Sequence, residues 1–198
     1  RNDGGGLFTE QPSIILEGVF HSSAAWGDYD NDGWTDILLT GTTDGSSSGA
    51  VSRIYRNNGN NTFTQQTGIE LPGVYYSSAA WGDYDNDNDL DILITGNQLS
   101  RIYRNNGDNT FTEQSGITLP GINGGSVAWG DYDNDSDLDI LITGSSLSGN
   151  NSRIYRNNGD NTFTAQTSVS LTPVSGSTGI WGDYDNDGLT DIAITGKA

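Results

Sequence analysis

Sixteen aspartates of this chain stand in four copies of one spacing. Numbered from its first Asp, each loop carries carboxylates at positions 1, 3, 5 and 9: Asp28, Asp30, Asp32 and Asp36; Asp83, Asp85, Asp87 and Asp91; Asp131, Asp133, Asp135 and Asp139; Asp183, Asp185, Asp187 and Asp191. Carboxylates crowded this closely repel one another, and a hard divalent cation taking about six to eight oxygens removes that penalty. Calcium fits best. Magnesium prefers a smaller octahedron with retained waters, and zinc prefers nitrogen or sulfur, which these loops lack. Four calcium ions are expected, one per loop, each also taking a backbone carbonyl from position 7: Trp34, Asp89, Asp137 or Leu189. The side chains of Asp89 and Asp137 add negative field without being expected ligands.

An EF-hand opens with a similar string but closes on a bidentate Glu at position 12, where this chain has Leu39, Ile94, Ile142 and Ile194. The loop must therefore close on the Asp at position 9. Position 6 needs a left-handed backbone, and it holds Gly33, Asn88, Ser136 and Gly188, of which serine tolerates that conformation least.

These loops need rigid elements on both sides. Each is preceded by a short run ending in Trp-Gly and followed by an apolar run such as Ile92-Leu93-Ile94. Then come Arg101-Ile-Tyr-Arg104, an Asn-Asn-Gly turn and Thr110-Phe-Thr112. Short β-branched or aromatic pieces bounded by Gly, Asn and Asp read as strands, four to a unit, and the Asn-Asn-Gly turn reads as a hairpin. Consecutive apolar positions in the second strand predict burial on both faces, as between stacked sheets. Trp26, Trp81, Trp129 and Trp181 recur at intervals of 55, 48 and 52 residues, so the chain reads as one array over 1–198. Its repeat cores are 22–65, 77–114, 125–166 and 177–196. Units of that length predict an all-β propeller of four-stranded blades, with calcium loops between first and second strands.

The pattern A-W-G-D-Y-D-N-D-G-x-x-D-I-x-I-T-G, followed by R-I-Y-R-N-N-G-D-N-T-F-T, resembles the FG-GAP or VCBS-type repeat of integrin-like β-propellers. The resemblance covers essentially the whole chain, although the Phe-Gly and Gly-Ala-Pro landmarks are absent. It implies calcium on the loop aspartates named above. Four repeats are fewer than such propellers typically carry, so closure of a ring by this chain alone is not expected. Arg1 to Gln11 aligns without gaps on Arg104 to Gln114, so residues 1–11 are expected to supply a fourth strand to the last blade, which would lack most of its third. Self-association or further repeats would complete the ring.

Acidic residues outnumber basic ones 26 to 8, for a net charge of −18, which argues against nucleic acid or an anionic membrane as partner. The paired arginines Arg53/Arg56, Arg101/Arg104 and Arg153/Arg156 are too sparse for a phosphate groove and read as structural. Cysteine is absent, which removes disulfides and thiolate metal sites. No apolar run is long enough to span a bilayer. A chain that starts at Arg1 and contains no methionine is expected to be a processed or excised piece, with any export signal upstream. Acidic, calcium-loaded modules fit an extracellular or cell-surface setting.

Catalysis has little to work with. His21 is the only histidine and neighbours Ser22 and Ser23 in sequence, which is not how a triad is built. Glu10, Glu17, Glu70 and Glu113 offer carboxylates, but Glu10 and Glu113 are repeat equivalents. No enzyme is expected; an adhesive or assembly module is, with a lectin, or a non-catalytic part of a polysaccharide-degrading enzyme, as the alternatives. In an up-and-down blade the calcium loops and Asn-Asn-Gly turns share one end. The variable stretches and links, with Phe20, His21, Tyr75, Tyr76 and Asn123, share the other. A protein or glycan partner is expected on that second face.

Overall fold

The computed structural model describes residues 1–198 as an all-β chain with one short 3-10 turn at Ser47–Gly49. The strands are β1 (Asn2–Gly4), β2 (Leu7–Phe8), β3 (Phe20–Gly27), β4 (Asp36–Thr42), β5 (Ala50–Asn57), β6 (Phe63–Gln65), β7 (Ser78–Gly82) and β8 (Asp91–Gly96). They continue with β9 (Leu99–Asn105), β10 (Phe111–Glu113), β11 (Asn123–Gly130), β12 (Asp139–Ser146), β13 (Gly149–Asn157), β14 (Phe163–Ala165), β15 (Ser175–Gly182) and β16 (Asp191–Lys197). Each unit is an antiparallel meander: β3 to β6, β7 to β10 and β11 to β14 are complete four-stranded blades, and β15 with β16 supplies the first two strands of the fourth. No helix is long and apolar enough to cross a membrane.

The second strand of each complete blade lies at the centre of the packing. Ile92, Leu93 and Ile94 are fully buried, as are Ile140, Leu141 and Ile142. Alternate side chains leave opposite faces of a strand, so these runs feed two different blade interfaces. Leu38 and Ile54 of the first blade meet Ile92, Ile94 and Tyr103 of the second. Leu93 and Ile102 of the second meet Ile140, Ile142 and Tyr155 of the third. On its other side the first blade has only Ile37, Leu39 and Tyr55, covered in part by Leu16 and Val19 of the incoming chain.

One aromatic wedge recurs at each junction of complete blades. Tyr29, from the first metal loop, stacks on Trp81 at 6.0 Å and touches Phe111 at 6.1 Å; Tyr84 does the same with Trp129 and Phe163. Each Trp also sits against the glycine that closes the first strand of the preceding blade. A Cβ on Gly27 would sit 2.7 Å from Trp81, and one on Gly82 or Gly130 would sit 2.6 Å from Trp129 or Trp181. Glycine is needed at these positions for close approach.

First strands contact one another through side chains, so their edges are covered instead of left open. Ser23 Oγ accepts from Ala79 N at 3.2 Å, Ser78 Oγ from Val127 N at 3.2 Å, and Ser126 Oγ from Gly179 N at 2.6 Å.

The opening segment behaves differently from the expectation. Residues 1–11 do not complete the last blade: β1 and β2 pair with each other, in a sheet separate from β15 and β16. The alignment explains this, because only Arg1 and Asn2 match the third strand, too few residues to hold the edge of β16 by a hydrogen-bond ladder.

Candidate metal centre

In every unit the Asp-rich loop joins the first strand to the second, as the spacing predicts. The Asp at position 1 forms the turn: Asp28 Oδ1 accepts from Asp32 N at 3.1 Å and its Oδ2 from Gly33 N at 2.9 Å. The same pair of bonds recurs at Asp83, Asp131 and Asp183. Position 6 is left-handed throughout, with φ of 87° at Gly33, 71° at Asn88, 73° at Ser136 and 85° at Gly188.

Three carboxylates converge in each loop, one oxygen from each lying within 4.8 Å of the others. They are Asp28, Asp30 and Asp32 in the first loop, and positions 1, 3 and 9 in the rest: Asp83, Asp85 and Asp91; Asp131, Asp133 and Asp139; Asp183, Asp185 and Asp191. The fourth carboxylate of the expected set stands outside each trio and accepts hydrogen bonds of the kind that trio members also accept. Asp36 accepts from Tyr29 N and Asn57 N. Asp87 accepts from Asp89 N and from Arg104 Nη2 at 2.7 Å. Asp135 and Asp187 accept from the position-7 N–H of Asp137 and Leu189.

The position-9 carboxylates are buried at Asp36, Asp91 and Asp139. Burial pushes Asp36 and Asp139 up to about 6 and Asp91 up to about 7, against the backbone N–H bonds that pull them down. The neighbouring Tyr29 is pushed up to about 12, first by burial and then by Asp30. Asp30 and Asp85 carry the test of fit. Their side chains are only 8% and 7% exposed, yet Oδ1 of each has no hydrogen-bond partner. A buried carboxylate oxygen without a donor is costly, and a cation among three converging oxygens satisfies it. The residues that would hold such an ion are Asp28, Asp30 and Asp32 in the first loop and the carboxylates at positions 1, 3 and 9 in the other three.

Three sets of residues escaped the sequence reading. Arg56 binds Asp30 Oδ2 at 2.5 Å and Asp32 Oδ2 at 2.6 Å; Arg104 repeats this with Asp85 and Asp87, and Arg156 does so more loosely with Asp133 and Asp135. One arginine of each pair thus belongs to the metal loop. The position-4 asparagines, with φ near the left-handed well, reach to the next blade: Asn31 and Asn86 donate to Asp89 Oδ1 and Asp137 Oδ1, both at 2.8 Å. Asp89 and Asp137 are therefore inter-loop acceptors as well as sources of field. Their repetition was legible; what they touch was not. Finally, Asn105 and Asn157 donate to Tyr29 O and Tyr84 O across the blade junctions at 2.8 Å.

Position 7 also contacts the Asn-Asn-Gly turns. The Trp34 indole packs on Gly59, and Asp89 and Asp137 lie against Gly107 and Gly159, so loops and turns share a face. At the other end His21 stacks on Tyr76 with ring centroids 3.9 Å apart, and Tyr75 lies 5.3 Å from Tyr76. Phe20 is exposed. Asn123 caps Gln98 N at 3.0 Å, so its side chain holds the β8–β9 turn.

Ser136 gives a direct test of the loop geometry. A serine at φ of 73° is strained where glycine is not, by about 1 kcal/mol. Ser136→Gly is expected to tighten the third metal site several-fold in a calcium titration, leaving the other three unchanged. An unchanged or weakened third site would show that backbone strain does not set its affinity.

Comparison with curated protein sequences gives no match. Among solved structures, an Agrocybe aegerita lectin, described by its specific recognition of non-reducing terminal N-acetylglucosamine, superposes with a TM-score of 0.62 at 22% identity. The match covers 88% of this chain and 47% of that one, so this chain spans about half the lectin's length. The likeness is one of fold. At the level of sequence, the profile of the FG-GAP-like repeat matches residues 28–94, 83–142 and 142–194, each match taking in at least one Asp-rich loop. Those overlapping matches run through all three complete blades and into the fourth, and on them the chain belongs to the FG-GAP-like repeat family.

Proposed function

We propose that this chain is a calcium-stabilised β-propeller interaction module, secreted or displayed at a cell surface, that carries no active site and engages a protein or glycan on the face opposite its metal loops. Calcium on all four loops is supported by the converging carboxylates and the unpartnered oxygens of Asp30 and Asp85. A role without catalysis is supported by where the other acids go: Glu17 pairs with Arg53, Glu113 pairs with Arg101 at 2.9 Å, and His21 stacks on a tyrosine.

The observation that carries the binding face is strain. Where β3, β11 and β15 begin, a bulge holds a left-handed His21, Gly124 or Gly176, and Tyr76, just ahead of β7, takes the same conformation, with φ between 48° and 56°. The last two blades use glycine, as sterics favour. The first two place bulky rings there, at about 1 to 2 kcal/mol each, and stack them on one another. Strain of this kind collects at binding sites. A ring stack open to solvent suits the apolar face of a sugar, which favours the lectin as the second reading; the lectin that shares the fold is consistent with it.

Tyr76→Gly tests both. Relief of backbone strain and loss of the stack, worth about 0.5 to 1.5 kcal/mol, offset each other, so stability should stay within about 1 kcal/mol. Binding to any ligand found on a glycan array should fall at least tenfold, roughly 1.4 kcal/mol. A ligand that binds the variant as well as the parent would remove this face; an empty array would favour a protein partner over a glycan.

A further inference from the structure

We propose that the metal loops of neighbouring blades bind calcium cooperatively, coupled by side chains that belong to no expected ligand set. These positioning residues are Asn105 and Asn157 across the blade junctions, and Asn31 with Asp89 and Asn86 with Asp137 between the loops. The coupling rests on the calcium reading above and adds to it how one site acts on the next.

Each junction of complete blades holds two routes. In the first, Asn105 binds both loops at once: its backbone N–H donates to Asp91 Oδ1 at 2.8 Å, and its Nδ2 donates to Tyr29 O at 2.8 Å. Asp91 is one of the three converging carboxylates of the second loop, and Tyr29 stands between Asp28 and Asp30, two of the three in the first. Asn157 repeats the arrangement one blade on, with Asp139 Oδ1 and Tyr84 O, both at 2.8 Å. Asn105 and Asn157 are each only 1% exposed. Water does not compete for these bonds, so displacing either loop leaves buried groups of the other unpaired.

The second route runs between the loops themselves. Asn31 sits between Asp30 and Asp32 with φ of 56°, and its Nδ2 donates to Asp89 Oδ1 at 2.8 Å. Asp89 occupies position 7 of the second loop, whose backbone carbonyl is expected on the ion. Its side chain is thus held by the loop before it. Asn86 and Asp137 form the same bond between the second and third loops at 2.8 Å. In the fourth loop Leu189 offers no carboxylate, and Asn134 reaches only Gly188 O, at 3.4 Å.

The sign of the coupling follows from order. A loop that closes on an ion gives up conformational freedom. A filled first loop fixes Tyr29 and Asn31, which fix Asn105 and Asp89, so the second loop has less freedom left to lose and binds its ion more tightly. Two ions also repel each other. That repulsion is screened over about 8 Å at physiological salt, and the loops lie largely open to solvent, so the direct bonds decide.

The test is a calcium titration of the isotope-labelled 198-residue chain at physiological salt. Each site is followed by the amides of Gly33, Asn88 and Ser136, which donate to the position-1 Asp of the first three loops. Asp30→Asn disables the first site and should weaken the second about fivefold or more, although every ligand of the second is intact. Asp85→Asn should weaken the first by the same factor, because coupling is reciprocal; damage to the fold would give no such equality. Asp89→Leu places at position 7 the residue type that the fourth loop already has, keeps the backbone carbonyl and cuts one route, so the factor should shrink. Adding Asn105→Ala cuts the other route and should abolish it; where that double variant does not fold, Asp89→Leu alone decides. Ser136→Gly alters none of these bonds, so the intrinsic constants of the other three sites stay as they were. Loops that bind no calcium would remove the calcium reading itself. Constants indifferent to the neighbouring site, unequal factors in the two directions, or a factor unchanged in Asp89→Leu would overturn the coupling alone.

Discussion

Chelating calcium should lower the melting temperature of this chain by about 20 °C or more. At free calcium a hundredfold above the dissociation constant, each ion bound only by the native state adds about 2.7 kcal/mol. Four sites then contribute on the order of 10 kcal/mol, comparable with the whole stability of an ordinary domain. For a chain of this size each kcal/mol moves the midpoint by about 2 to 4 °C. The metal-free loops are not all bare, since Arg56, Arg104 and Arg156 each neutralise part of one of the first three. The fourth loop faces no arginine of that kind, because the strand that would bring one is not paired with β16. Calcium removal should therefore loosen residues 183–191 first, visible as loss of amide protection there before elsewhere. Magnesium should not restore the melting curve at equal concentration, since its smaller octahedron suits this spacing poorly. A melting curve indifferent to chelator would remove calcium from the account of stability.

Much of this was legible in the sequence because the same local physics is written four times. The Trp-Gly ending, the Asp spacing, the β-branched run and the Asn-Asn-Gly turn each specify a local conformation, and repetition fixes how units follow one another. The left-handed residue at position 6 could be read from Gly33, Asn88, Ser136 and Gly188 alone. What sequence could not supply was contact between units. Nothing in the sequence sets Tyr29 and Tyr84 apart within the metal loops, yet both are almost fully buried as wedges in the next blade. Arg56 and Arg104 looked like half of a structural pair, but their partners are carboxylates more than fifteen residues away. The strain at His21 belongs to a bulge that exists only when β3 is laid against β4, and Tyr76 takes the same conformation just ahead of β7. The pairing of residues 1–11 was misjudged for the same reason: alignment says which strand a segment resembles, not whether enough of it is present to pair.

Asn105 shows how large such an unread contact can be. Sequence marks it as the first residue of a turn, and the turn role is real: Gly107 N donates to its Oδ1 at 3.1 Å. The side chain is also buried, and its Nδ2 serves two carbonyls, Leu90 O at 3.2 Å in its own blade and Tyr29 O at 2.8 Å in the blade before. Asn105→Ala leaves one donor and two acceptors without partners. Each costs about 1 to 3 kcal/mol when water cannot reach it, so about 3 kcal/mol of destabilisation is expected after partial relaxation. Asn57 is the internal control. It keeps the turn bond to Gly59 N at 3.1 Å and one carbonyl, Thr35 O, but has no preceding blade to hold, and it is only part-buried. Asn57→Ala should cost about 1 kcal/mol, so chemical denaturation of the two variants should separate them by about 2 kcal/mol. Equal losses would mean that the turn, and not the bond between blades, is what these asparagines contribute. A larger loss at Asn105 would identify the buried amide as the bond that transmits order from one metal loop to the next blade, because Tyr29 O lies one residue from Asp28 and Asp30 alike.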